Sequence, residues 1–403
     1  METKEENKRL HLIRNDNGEW ISDEYAVIVS KMEVGVLKVW AAKQGKTLSV
    51  QHGSDGILWC YKHEIEAIDF KNEKTTISRK LRIKKSMGKA SSKEMYYNRA
   101  MSPNLVEKIK EKYQWLIDVV IQNPELDFQT GSNDNDSWFS VYRGTGRILT
   151  IKENSKPYAD PKYMNMCPDF YNKPNAVSLS VLMEKIREKR ELGRYYIGAD
   201  GKRKEGYYQN LISRRYSLGC ESSDDFIIID KEFVLGYSED RVKKEIMQPI
   251  KKKYDDIIQS LSDKYDYCKN IKQPGTECDF VGLTRQGDIL LLELKRYEDT
   301  TKIFLSPLQA GKYDDLTKEY VRRYYDDFNK DVLNMVIQKK DMGILNPKWD
   351  LPAKLTGNII PAVVVGGNPS EAAKERFDIV RKAVGKEIPL YTCDEKGTLI
   401  KLK

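Results

Sequence analysis

The sequence holds three histidines and six cysteines in 403 residues, and no two cysteines form a CxxC pair. A structural zinc site needs four Cys or His ligands at short spacings, so that class is set aside. The cysteines, Cys60, Cys167, Cys220, Cys268, Cys278 and Cys393, are scattered singly, which suits a reducing compartment. No apolar run is long enough to cross a membrane, and no early apolar stretch of signal-peptide type is present. The expectation is a soluble cytoplasmic protein. A phosphate loop is also missing, because "KQGKT" at 43–47 follows Trp40 where GxxxxGK[ST] requires glycine. "GTGR" at 144–147 reads as a hairpin turn rather than a nucleotide loop. No repeat of solenoid type is found.

What is present is a folded composition, 40% hydrophobic and 10% aromatic, at a length of two or three domains. A net charge of +8 is compatible with a polyanionic partner. Residues 1–95 read as a β-rich domain, with strands in "EYAVIVSKMEVGVLKVW", "KTLSVQH", "GILWCY" and "EAIDFKN" before a basic, Ser-containing linker. Residues 96–223 read as a mixed, largely helical region with a sensing or regulatory role. It has a helix over 102–122 capped by Ser102, a polar loop "QTGSNDNDS", a hairpin "WFSVYRGTGRILTIK" and polar helices over 178–218 broken near 198. The last segment mixes Lys and Arg with Tyr195, Tyr196, Tyr207 and Tyr208. Phosphate tracking with base stacking is one reading, but a solvated helix face with inward tyrosines is simpler. From 224 the order is strands, helix, hairpin, helix, strand, helix, strand: an α/β sandwich around one mixed sheet. Its first helix has Ser238 as expected cap and an inward stripe of Val242, Ile246, Ile250, Tyr254, Ile257 and Leu261.

Within that region "ILLLELKRY", 289–297, looks like a core strand that carries Glu293 and Lys295. Side chains alternate along a strand, so both point one way and Leu294 points the other, into the apolar layer. A dry charge pair is costly unless compensated. A buried structural ion pair and a metal–phosphate site both supply compensation. Taken alone, the triplet favours the structural pair. The tight turn "TRQGD" shifts the balance, because it folds Asp279 back toward Glu293, where two hard oxygen donors suit Mg²⁺ or Mn²⁺. Lys295 can then offset charge on a phosphate or orient water, and Gln309 and Tyr313, at i and i+4 on the next helix, can lie over the same site.

Cys278-Asp279, Glu293-Leu294-Lys295 and Gln309-x-x-x-Tyr313 together resemble the PD-(D/E)xK nuclease superfamily, in its RecB-like QxxxY branch. Cys278 replaces the motif's proline, a position that varies widely in the superfamily. "CPDF" at 167–170 has the Pro-Asp letters but is followed by a polar helix, and is rejected. Over roughly 224–403 the order is most similar to the Shedu anti-phage nucleases. The resemblance implies a restriction-endonuclease-like nuclease domain in which Asp279, Glu293 and the Leu294 carbonyl hold Mg²⁺. Lys295 would position water for in-line attack on phosphorus, and Gln309 and Tyr313 would steady Lys295 or contact the phosphate. It also implies an acidic residue on the preceding helix, Glu239 or Glu245, with Glu239 preferred although first-turn acids are stabilised by the macrodipole alone. The expected partners are DNA and further copies of the chain, without a membrane. The alternatives are a catalytically silent nucleic-acid-binding module, a restriction enzyme and an RNA nuclease.

Overall fold

The computed structural model describes residues 94–402, apart from 98, 134, 135, 190, 191, 193, 194 and 199, together with short stretches between 26 and 67. The chain divides into two compact units, Met1–Ser92 and Lys93–Lys403. In the first, β1 (Ala26–Val29), β2 (Val50–His52) and β3 (Leu58–Tyr61) form an antiparallel sheet in the order β1-β3-β2. Three of the four expected runs thus contain strands. The end of the first run is helical at 38 and 39, and just past the run 41–43 are helical too, where Ala41, Ala42 and Lys43 favour helix. Apart from Ala67, the fourth run lies outside the described residues, as does the basic stretch up to 93.

The second unit opens with β4 (Met95–Tyr96) and two helices, α1 (Pro103–Lys112) and α2 (Gln114–Gln122). The Leu105 N–H donates to the Ser102 hydroxyl at 3.2 Å, the cap that the sequence signals. The single helix expected over 102–122 is two, because Tyr113 leaves helical geometry at φ −130°. β5 (Asp127–Asn133), β6 (Asp136–Arg143) and β7 (Gly146–Lys152) make an antiparallel sheet. The hairpin turns at Gly144, whose φ of +58° suits glycine. β5 corrects the reading of "QTGSNDNDS" as loop: its pairing with β6 sets Phe128 opposite Val141, and these contacts outweigh polar composition. Two short helices at 161–166 and 168–172 lead to α3 (Ala176–Glu188) and α4 (Glu205–Tyr216), with the expected break between them. Leu105, Ile109, Leu116, Phe139, Ile148 and Leu182 share one core that joins these helices to the small sheet.

Then come β8 (Phe226–Phe233), β9 (Gly236–Tyr237, paired with β4), α5 (Asp240–Lys264), β10 (Cys278–Thr284) and β11 (Ile289–Arg296). α6 (Thr300–Asp341) bends at Tyr324, and is followed by β12 (Ile359–Gly366), α7 (Glu371–Val384), β13 (Leu390–Cys393) and β14 (Leu399–Lys401). Glu239, not Ser238, takes the N-cap position of α5, with no side-chain bond. β14 is a further strand, three residues long, defined by its pairing with β13. The sheet order is β14-β13-β12-β11-β10-β8. β11, β12 and β13 run parallel, while β8, β10 and β14 join antiparallel. This is a mixed α/β fold, as expected. One face of the sheet carries Leu291 and Val281 against Tyr313, Leu316 and Tyr320 of α6. The other carries Leu292, Leu294 and Phe280 against Tyr208, Ile212 and Tyr216 of α4. The tyrosines Tyr208 and Tyr216 therefore pack inward, and Arg214 donates to the carbonyls of Val120, Ile121 and Leu126.

The small sheet meets β8 through buried charges. Lys231 donates to Asp127 at 2.6 Å with both side chains below a tenth exposed. Removing one partner strands the other charge, so Asp127→Ala is expected to cost about 3–5 kcal/mol, whereas replacing both by apolar residues is expected to cost far less. Urea unfolding of the two variants checks this.

Candidate active site

The β10–β11 hairpin turns at Gly287, with φ +97°. β11 lies between β10 and β12, and Ile289 to Leu292 are buried on both faces. Burial of each such side chain contributes about 1.5–3 kcal/mol, which holds the strand in place while charges are forced into it. The alternation of packing partners puts Leu294 against the α4 side and leaves Glu293 and Lys295 on the α6 side.

Phe280 pairs with Leu292, so one residue on Asp279 stands across from Glu293. Asp279 Oδ2 accepts the Leu294 N–H at 2.7 Å. That amide is thereby turned toward β10, and a strand residue's carbonyl lies on the same edge as its amide, so the Leu294 carbonyl is turned to the side of Asp279. Lys295 donates to Glu293 Oε1. Glu293 is 1% exposed, and its second oxygen, Oε2, has no hydrogen-bond partner. Asp279 and Lys295 remain partly open to solvent.

Burial raises the Asp279 carboxyl to about 7, against an ordinary 3.8, and the opposing pull of Lys295 is too weak to restore it. Burial, then the neighbouring Asp279, pushes Glu293 well above the usual carboxylate range. For Lys295 burial works toward the neutral amine, but Glu293 and Asp279 together outweigh it and keep the ammonium charged.

Gln309 and Tyr313 lie on α6 and hold each other, the amide donating to the phenol oxygen. The Tyr313 hydroxyl donates to the Glu277 carbonyl, two residues before Asp279. In this arrangement they tether the start of β10 rather than bond Lys295. Tyr313→Phe is expected to cost about 1 kcal/mol of stability, the net worth of one buried hydrogen bond. Thermal melting of the parent and the variant side by side checks this.

Among the described contacts none brings Glu239 or Glu245 to these side chains: Glu239, at the N-cap of α5, and Glu245, on the helix, are both exposed, and Glu245 pairs with Arg241 at 3.9 Å. α5 turns its apolar stripe inward and its acids toward water. The acids whose charge bears on Asp279 are Glu205, in the first turn of α4, and Glu232, on β8. Sequence reasoning passed over both. Glu205 sits in a segment read for its basic residues. Glu232 sits in "IIIDKEF", where only the register with β10 shows what it faces.

Asp279 and Glu293 share one ammonium between them, and the charges of Glu205 and Glu232 add to theirs, which favours a cation at the site. Among the described residues no group of three or more His, Cys, Asp or Glu side chains is placed to hold a metal unaided. Asp279, Glu293 and the Leu294 carbonyl nevertheless offer hard oxygen donors, and the unpartnered Glu293 oxygen is the kind of atom a divalent cation satisfies, with water completing the shell. No family model, curated protein or solved structure matches the chain.

Proposed function

We propose that the chain is a divalent-metal-dependent DNA endonuclease, consistent with its resemblance to the PD-(D/E)xK superfamily and to the Shedu anti-phage nucleases. The observation that carries the reading is the facing pair Asp279 and Glu293 with Lys295 on the same side of the sheet. Asp279, Glu293 and the Leu294 carbonyl would hold Mg²⁺ or Mn²⁺. When bound, the ion supplies Lewis-acid stabilisation to a phosphoryl oxygen. Lys295 brings a permanent positive charge to the same edge, where it offsets the charge that builds on phosphate and orders a water for in-line attack. Glu293 fixes the Lys295 side chain, and the Leu294 amide fixes Asp279. Gln309 and Tyr313 hold the backbone that carries Asp279. A role in anti-phage defence, with residues before 224 sensing or regulating and with assembly into homo-oligomers, belongs to the same proposal.

The test incubates the chain with supercoiled plasmid, linear duplex and single-stranded DNA in Mg²⁺, in Mn²⁺ and in EDTA. Cleavage that EDTA abolishes supports the reading. Binding without cleavage under every divalent ion would instead make the chain a nucleic-acid-binding module on a nuclease scaffold.

A further inference from the structure

β8 and β10 pair Cys278 with Phe233 and Phe280 with Lys231, so Glu232 stands opposite Asp279. On the other edge of β10, Glu293 stands opposite the same aspartate. Three acidic residues thus lie in one row across three adjacent strands. Directly opposed residues of a sheet share a face. Glu232 nevertheless turns its carboxylate to Gln129 of β5. Its φ is +51°, and it is one of two non-glycine residues with positive φ among those described. That conformation is costly for a residue with a Cβ and persists only where neighbours impose it.

The neighbours are identifiable. Arg99 Nη2 donates to the Glu232 carbonyl at 2.6 Å. Gln129 Nε2 donates to Glu232 Oε2 at 3.1 Å and reaches the Lys231 carbonyl at 3.4 Å. Gln129 belongs to β5, outside the six-stranded sheet, and is buried. A cavity of about 30 Å³ borders Gln129 and Lys231. The site of Asp279 and Glu293 contains the buried Glu293 Oε2 with no partner.

We propose that Glu232 is a switchable third carboxylate of the site, which β5 holds away through Gln129 and which turns onto a divalent cation bound by Asp279 and Glu293 once that hold is released. The inference rests on the cation site of the proposed nuclease. It adds the means by which the β5–β7 sheet sets that site: a displacement of β5 is read out as one more oxygen donor beside Asp279.

The test titrates Mn²⁺ calorimetrically into the full chain and into Gln129→Leu, Glu232→Gln and the double variant, with Asp279→Ala as the control for the site. Gln129→Leu is expected to bind Mn²⁺ at least about fivefold more tightly than the parent. Adding Glu232→Gln is expected to remove that gain. Gln129→Glu keeps the shape of the side chain and repels Glu232, and it carries the same expectation should the apolar variant fail to fold. Unchanged affinity in the Gln129 variants, or a gain that survives Glu232→Gln, would overturn the switch and leave the Asp279-dependent site standing. If Asp279→Ala binds Mn²⁺ as the parent does, the site and the switch fall together.

Discussion

Lys295→Ala is expected to lower Mg²⁺-dependent DNA cleavage by about 10²–10³-fold, the scale of removing one preorganised group from a place where negative charge develops. The reason is local. Lys295 is held in place by its bond to Glu293, so its ammonium needs little reorganisation during the reaction. Lys295→Arg is expected to recover only part of the rate, because a planar guanidinium cannot replace a point charge on a flexible stem. The fold is expected to survive better at low pH than at high pH. With the ammonium gone, Glu293 faces Asp279 without a counter-charge, and a proton must take that role. Initial nicking rates, with melting followed across pH, separate the two effects.

The second large effect is on stability in metal-free buffer. Asp279 titrates at about 7 when folded and near 3.8 when unfolded, so the folded chain binds the extra proton between those values. The contribution of Asp279 is therefore fully present below about pH 4 and is lost as pH rises through about 7, the reverse of an ion-paired carboxylate. At about 1.4 kcal/mol per unit, Asp279 alone accounts for at most about 4 kcal/mol, and Glu293 acts in the same direction. Calorimetry in EDTA is expected to show the melting temperature several degrees lower at about pH 7.5 than at about pH 5. Asp279→Asn is expected to flatten that slope. Saturating Mg²⁺ is expected to restore stability at the higher pH, by about 2.7 kcal/mol at a hundredfold excess over the dissociation constant. A parent chain whose stability rises from about pH 5 to about pH 7.5 in EDTA would contradict the burial argument.

These effects reflect a division between what the sequence makes legible and what it does not. The strand "ILLLELKRY" is readable because four apolar residues in a row exclude an exposed strand, and period-two alternation then assigns faces to Glu293, Leu294 and Lys295. The return of Asp279 is readable because "TRQGD" is short. Helix α5 is readable from its stripe, and its bounds are off by one residue at the cap. Glu232 is not readable, since its position depends on which strand becomes the neighbour of β10. That strand, β8, lies more than 40 residues earlier, and sequence pattern carries no register across such a distance. The left-handed backbone at Glu232 has no composition signal either, as nothing in "DKEF" asks for positive φ. The same holds for β5, where tertiary pairing overrides a polar, Gly-containing stretch.

The measurement that tests the central claim most directly compares parent and Glu293→Gln chains on supercoiled plasmid, in Mg²⁺ and in EDTA. Glutamine keeps the size of the side chain and one oxygen but removes its charge, so the fold is retained while the cation loses an anionic ligand. The account predicts Mg²⁺-dependent cleavage by the parent and at least about a hundredfold less by the variant. Equal cleavage by both chains, or cleavage that persists in EDTA, would contradict it.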